Sequence, residues 1–130
     1  MASLIEDLLF KEECYKIIGL SMKVHSKLGK GFKEVVYKDA LEIEFINNQI
    51  PYEREKFFTI PYEDVILRHY FIADFSVYDS IIIEVKAASM IHPDNFRQTL
   101  NYLKASHIKL GILINFGENK LKFQRIVCSY

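Results

Sequence analysis

The sequence predicts an α/β (α+β) fold, a mixed sheet flanked by helices, with elements in the order α-α-β-β-β-α-β-β. Three observations predict it. Apolar residues recur at three- and four-residue spacing before Pro51, short β-rich runs follow that proline, and one helical segment separates the third run from the fourth. The 130 residues, half of them apolar and 14% aromatic, suit one domain spanning 1–130 with one filled core and leave no room for a second.

In the first helix Cys14, Ile17, Ile18, Ser21, Val24 and Leu28 form one buried stripe, which the Gly29-Lys30-Gly31 turn should end. A second helix is expected over 33–47, closed by Asn47-Asn48 ahead of Pro51. It carries two apolar stripes, Val36, Ala40, Ile43 and Tyr37, Leu41, Phe45, so protein should cover two of its faces. Runs at 57–60, 70–77 and 81–86 read as a meander of antiparallel strands. The third helix, over 94–105, places Phe96, Leu100 and Leu103 on one stripe. Residues 110–114 are apolar without alternation and short enough for a central strand buried on both faces. A last strand, 121–127, follows the turn residues Gly117-Glu118-Asn119.

Composition excludes several classes. Seventeen basic and seventeen acidic side chains cancel, so nucleic acid would have to be held by a local patch rather than by overall charge. Residues 1–10 carry Glu6 and Asp7 and no basic leader, unlike a signal peptide. No apolar run approaches the roughly twenty residues of a membrane-spanning helix, so no membrane partner is expected and the protein reads as cytoplasmic. Cys14 and Cys128 lie near opposite ends without metal-ligand spacing, which suggests buried thiols in a reducing compartment. Three prolines and five glycines offer no flexible linker.

The chemistry concentrates around Asp79-Ser80. Phe71, Ala73, Phe75 and Val77 alternate with Ile72, Asp74 and Ser76, while Ile81, Ile83 and Val85 alternate with Ile82, Glu84 and Lys86. If Tyr78-Asp79-Ser80 is the loop, Asp74 falls opposite Glu84 and both apolar sets share one side of the sheet. A two-residue loop would turn Asp74 away, so the hydrophobic pattern selects the odd-numbered loop. Paired carboxylates repel unless a cation lies between them. Mg2+ or Mn2+ suits that place, and Lys86 on the same face could orient water or neutralise charge on a phosphate. Glu84 and Lys86 alone also fit a solvated cross-strand pair. The Ile81-Ile82-Ile83 run argues for an inner strand, where unpaired charge is expensive.

Asp74-Phe75, a short hairpin, then Glu84-Val85-Lys86 and a helix resemble the core of the PD-(D/E)XK nuclease superfamily, whose fold is restriction-endonuclease-like. Gly31-Phe32-Lys33-Glu34-Val35-Val36-Tyr37 is similar to the signature of its GxxExxY family. Pro51-Tyr52-Glu53-Arg54-Glu55, Gln98-Thr99-Leu100-Asn101-Tyr102-Leu103-Lys104-Ala105 and Leu110-Gly111-Ile112-Leu113-Ile114-Asn115-Phe116-Gly117 extend the similarity over 18–127. The resemblance implies Asp74, Glu84 and the Val85 carbonyl as metal ligands, Lys86 serving the nucleophilic water, Glu34 as the acidic residue of the preceding helix, and Gln98 as a supporting residue. One departure is Ile72, where the family usually carries arginine.

Spacing alone puts Glu34 on the stripe of Tyr37, Leu41 and Phe45, facing protein or a cleft, although helix N-terminal amides would equally satisfy it. Gln98 and Tyr102 lie one turn apart and could line the same cleft, or be plain surface residues. The charged Lys38 and Glu42 lie off the stripe of Tyr37, Leu41 and Phe45. Lys23, Lys27, Lys30 and Lys33 could follow a phosphate backbone, but with zero net charge the solvated face is the preferred reading. The four histidines share no ligand spacing. The expected function is a divalent-metal-dependent nuclease, acting on DNA ahead of RNA. The alternative is a catalytically silent module for nucleic-acid binding or assembly, which neutral charge, small size and Ile72 favour. A homodimer is reasonable, given the aromatic content and the need to cut two strands.

Overall fold

The computed structural model describes residues 10–129, so the acidic segment read above lies, but for Phe10, outside the described residues. The described residues form α1 (Lys11–Leu28), α2 (Glu34–Asn47), β1 (Tyr52–Tyr62), β2 (Val65–Val77), β3 (Ile81–Lys86), α3 (Pro93–Ser106), β4 (Leu110–Asn115) and β5 (Lys122–Val127). This is the expected order. Helix α1 stops where Gly29 takes φ 70°, its amide donating to the His25 carbonyl at 2.8 Å. Helix α3 starts in a capping box, with His92 Nδ1 accepting from the Asp94 amide and Asn95 Oδ1 from the His92 amide. No helix among the described residues is long and apolar enough to cross a membrane.

The sheet runs β1-β2-β3-β4-β5, with β3 and β4 parallel and the other neighbours antiparallel. Helices α1 and α2 cover one face through Ile17, Tyr37, Leu41 and Phe45; α3 covers the other through Leu103. The inner strands β3 and β4 are therefore apolar on both sides, which is why 81–83 and 110–114 show no alternation. Gly111 permits the close seating of α3: a Cβ there would lie 2.9 Å from the Thr99 methyl carbon.

Four expectations need correction. Strands β1 and β2 form a hairpin much longer than 57–60 and 70–77, because the charged Glu53, Arg54 and Lys56 mask the alternation of β1, and Val65, Ile66 and Leu67 are exposed without any polar face. The apolar residues of β2 do not share one side. Phe75 and Val77 pack beneath α1 and α2, whereas Phe71 and Ala73 pack with α3. The change of face coincides with Glu55 of β1 at φ 55°, between the pairs Arg54↔Phe75 and Lys56↔Ala73; a left-handed residue there rotates the hairpin across the sheet. Helix α2 is covered on one face only, with Ile43 57% exposed, since the sheet and α1 both lie on the Tyr37, Leu41, Phe45 side. On α3 the buried residues are Thr99 and Leu103, with Phe96 and Leu100 half-buried at their flanks.

Candidate active site

The three-residue connection Tyr78-Asp79-Ser80 sets the register Val77↔Ile81, Ser76↔Ile82, Phe75↔Ile83. Continued by one pair, this register brings Asp74 opposite Glu84. There the backbone ladder gives way to side chains. The Asp74 amide donates to Glu84 Oε2 at 2.8 Å, and the Val85 amide donates to Asp74 Oδ2 at 2.7 Å. Each carboxylate thus spends one oxygen on a backbone amide, and the other oxygens, Asp74 Oδ1 and Glu84 Oε1, are left for a further partner.

Asp74 Oδ1 finds one. Lys38 of α2 donates to it at 3.2 Å and to Glu55 Oε1 at 2.7 Å, which makes Lys38 a bridge from helix to hairpin rather than a solvated charge. Burial works against its ammonium, yet Glu55 and Asp74 outweigh that cost and raise its pKa above the usual lysine value. Sequence reasoning missed both Lys38 and Glu55. The available signals were that Lys38 lies one helical turn after Glu34, and that Glu55 is the residue of β1 standing opposite Asp74.

Glu84 is 5% exposed. Its pKa is pushed up from 4.5 to about 8, first by burial and then by the Asp74 charge, against the opposing pull of the Asp74 amide, Lys86 and Lys38. The folded chain holds this proton in a range where the unfolded chain has already released it. Stability is therefore expected to fall as pH rises from about 4.5 to about 8 and to level off above, each pH unit costing at most about 1.4 kcal/mol. Thermal melting of the metal-free protein across pH 5–9 measures this, and a flat profile would contradict the buried, proton-holding Glu84.

Lys86 follows on the Glu84 face, half-buried, with its carbonyl accepting from the Phe116 amide at 2.8 Å. The loop after it is fixed by Asn115, the β4 residue paired with Lys86. Asn115 is fully buried; Oδ1 accepts from the Ala88 and Gly117 amides, and Nδ2 donates to the Ala88 carbonyl and Glu118 Oε2. A Cβ on Gly117 would overlap the backbone of Ala87 and Ala88, so only glycine lets the two loops touch. Asn115→Ala strands these groups and is expected to cost about 3 kcal/mol. Urea unfolding measures the loss, and a loss within about 0.5 kcal/mol would show that water replaces the clip.

Tyr102 stacks on Phe71 with centroids 4.0 Å apart, and its hydroxyl pKa is pushed up by burial and by the Glu84 and Asp74 charges. Gln98, one turn earlier, is exposed and makes no hydrogen bond among the described residues, so the structure does not join it to Asp74 and Glu84. Glu34 is exposed as well. Rather than packing with Tyr37, it lines a depression of about 570 Å³ together with Lys33, Lys38 and Ala87, on the flank of the carboxylate pair.

A hard divalent cation fits this donor set. Asp74 and Glu84 would offer two carboxylate oxygens, and among the described residues no third acidic, histidine or cysteine side chain converges with them. Mg2+ tolerates so few protein ligands because it retains water and takes substrate phosphate oxygens. Asp74 Oδ1 is held by the Lys38 ammonium, which would compete with such a cation.

No curated protein matches the sequence. The crystal structure of SSO0001 is similar in fold, with a TM-score of 0.58 and 20% identity over 73% of this chain; the chain spans about half (50%) of that protein. The mixed five-stranded sheet between helices is that of the restriction-endonuclease-like fold. Residues 11–126 match the family model of the PD-(D/E)XK nuclease superfamily, and with a carboxylate pair at the end of the β2–β3 ladder and a lysine two residues on, the chain belongs to that superfamily.

Proposed function

We propose that this chain is a divalent-metal-dependent nuclease of the GxxExxY type, hydrolysing phosphodiester bonds of nucleic acid, DNA ahead of RNA. The observation that carries the proposal is the buried Glu84, locked through the Asp74 amide to a second carboxylate, an arrangement that is costly alone and favourable around a cation. Asp74, Glu84 and the Val85 carbonyl hold Mg2+ or Mn2+, which when bound polarises the phosphate and acidifies water. Lys86 orients the attacking water and offsets charge developing on the phosphate. Glu34, across the depression from Ala87, helps place that water, and Tyr102 closes the α3 side of the site; Gln98, if it takes part, does so only by contact with bound nucleic acid. The test is incubation with single- and double-stranded DNA and RNA in Mg2+ or Mn2+. Cleavage of at least one substrate, lost on chelation and in Asp74→Ala, is expected; no cleavage of any of the four, or equal cleavage by the variant, refutes the proposal.

The second reading, a silent module, is favoured by Lys38, whose ammonium already neutralises Asp74. The two readings separate at that residue. If a metal site exists, Lys38→Met removes the competing cation and is expected to tighten Mn2+ binding about tenfold. Calorimetric titration reads this, and absence of binding by both forms supports the silent module.

A further inference from the structure

Lys30, in the turn between α1 and α2, and Lys120 and Lys122, in and after the β4–β5 connection, line one depression of about 410 Å³ together with Ser89, Gly117 and Asn119. Glu118 also lines it, but its carboxylate is engaged by Asn115 Nδ2 at 2.9 Å. Among the described residues none of the three ammonium groups has a carboxylate within 4.0 Å, whereas Lys23, Lys38 and Lys56 each do. Three lysines from two segments distant in sequence line this concave surface with one carboxylate, Glu118, so positive charge outnumbers negative there and attracts an anion.

The position of the depression identifies the anion. Ser89 lies three residues beyond Lys86, on the loop that Asn115 clips through Ala88 and that Gly117 touches directly. On the other flank of the same loops, Gly31 and Ala87 line the depression that holds Glu34 and Lys38. Ala87 and Ser89 are two residues apart, at most about 7 Å of backbone, so the two depressions adjoin along one loop, and the first of them holds the Lys38 that reaches Asp74. We propose that Lys30, Lys120 and Lys122 form a non-cleaving subsite for a backbone phosphate flanking the scissile one by a few nucleotides. This identification rests on the nuclease reading for its ligand. Lysines recognise phosphate as point charges and read no base, so the subsite sets affinity and strand path, not sequence preference.

The test is the triple variant Lys30→Gln, Lys120→Gln, Lys122→Gln, first shown to melt like the parent. With metal chelated, its affinity for a fluorescent oligonucleotide is expected to fall about tenfold to a hundredfold, with a plot of log affinity against log salt shallower by about 0.7–0.9 for the lost phosphate contact. With Mg2+ or Mn2+ present, its turnover of bis(p-nitrophenyl) phosphate, too small to reach the depression, should match the parent. Unchanged oligonucleotide affinity and slope in the triple variant, or a parent that binds no oligonucleotide, overturns the subsite. Weakened binding by the variant of a parent that cleaves neither substrate supports the subsite and removes the nuclease reading.

Discussion

Glu84→Gln is expected to lose metal-dependent cleavage by about a thousandfold while melting at a higher temperature than the parent at pH 8 in the absence of metal. The two effects share one cause. Glutamine keeps an oxygen that accepts from the Asp74 amide, so the geometry at the end of the β2–β3 ladder is retained. What disappears is a charge that is 5% exposed and next to the Asp74 carboxylate, and with it the cost of ionising Glu84 below water. The same charge is what a divalent ion needs. Parallel melting curves and cleavage assays check both halves: retained cleavage would remove Glu84 from the metal site, and unchanged stability would mean that its burial is relieved by solvent. At pH 5 the stability difference between the two proteins should shrink, because folded Glu84 is protonated there.

Lys86→Met is expected to lower the rate of cleavage about a hundredfold while leaving metal affinity close to that of the parent. Methionine keeps the length and apolar stem of the side chain, and the Lys86 carbonyl, bonded to the Phe116 amide, is backbone and unaffected. Only the ammonium is lost. Its charge favours ionised Glu84, so the Glu84 pKa should rise further and metal uptake should shift to slightly higher pH. Metal titration beside single-turnover cleavage separates the roles: equal losses in both would make Lys86 a structural counter-charge rather than a group acting on the reaction.

Much of the site was legible in advance because β-strand geometry has a period of two. Phe75 and Val77 on one strand and Ile81, Ile83 and Val85 on the next share one side, which leaves a single loop length that fits, and that length brings Asp74 opposite Glu84. Lys38 was not legible. It lies 36 residues from Asp74, and helical periodicity assigns it to the polar side of α2, since pattern records which residues are charged and not which neighbour covers them. Asn115 and Gly117 were visible only as part of a motif; four hydrogen bonds and one forbidden Cβ explain them. Of the two settings spacing offered Glu34, protein or a cleft, the depression it lines is the second, since its stripe is buried only from Tyr37 onward.

The amino-acid order by itself determined the element sequence, the doubly buried inner strands and the juxtaposition of two acids, since each follows from local periodicity and the length of one loop. Only the tertiary structure decided that the β1–β2 hairpin changes face at Glu55, that a lysine from α2 neutralises Asp74, and that Lys30 gathers with Lys120 and Lys122. Those features depend on contacts between segments far apart in the chain, where burial and charge are settled by neighbours that no local pattern encodes.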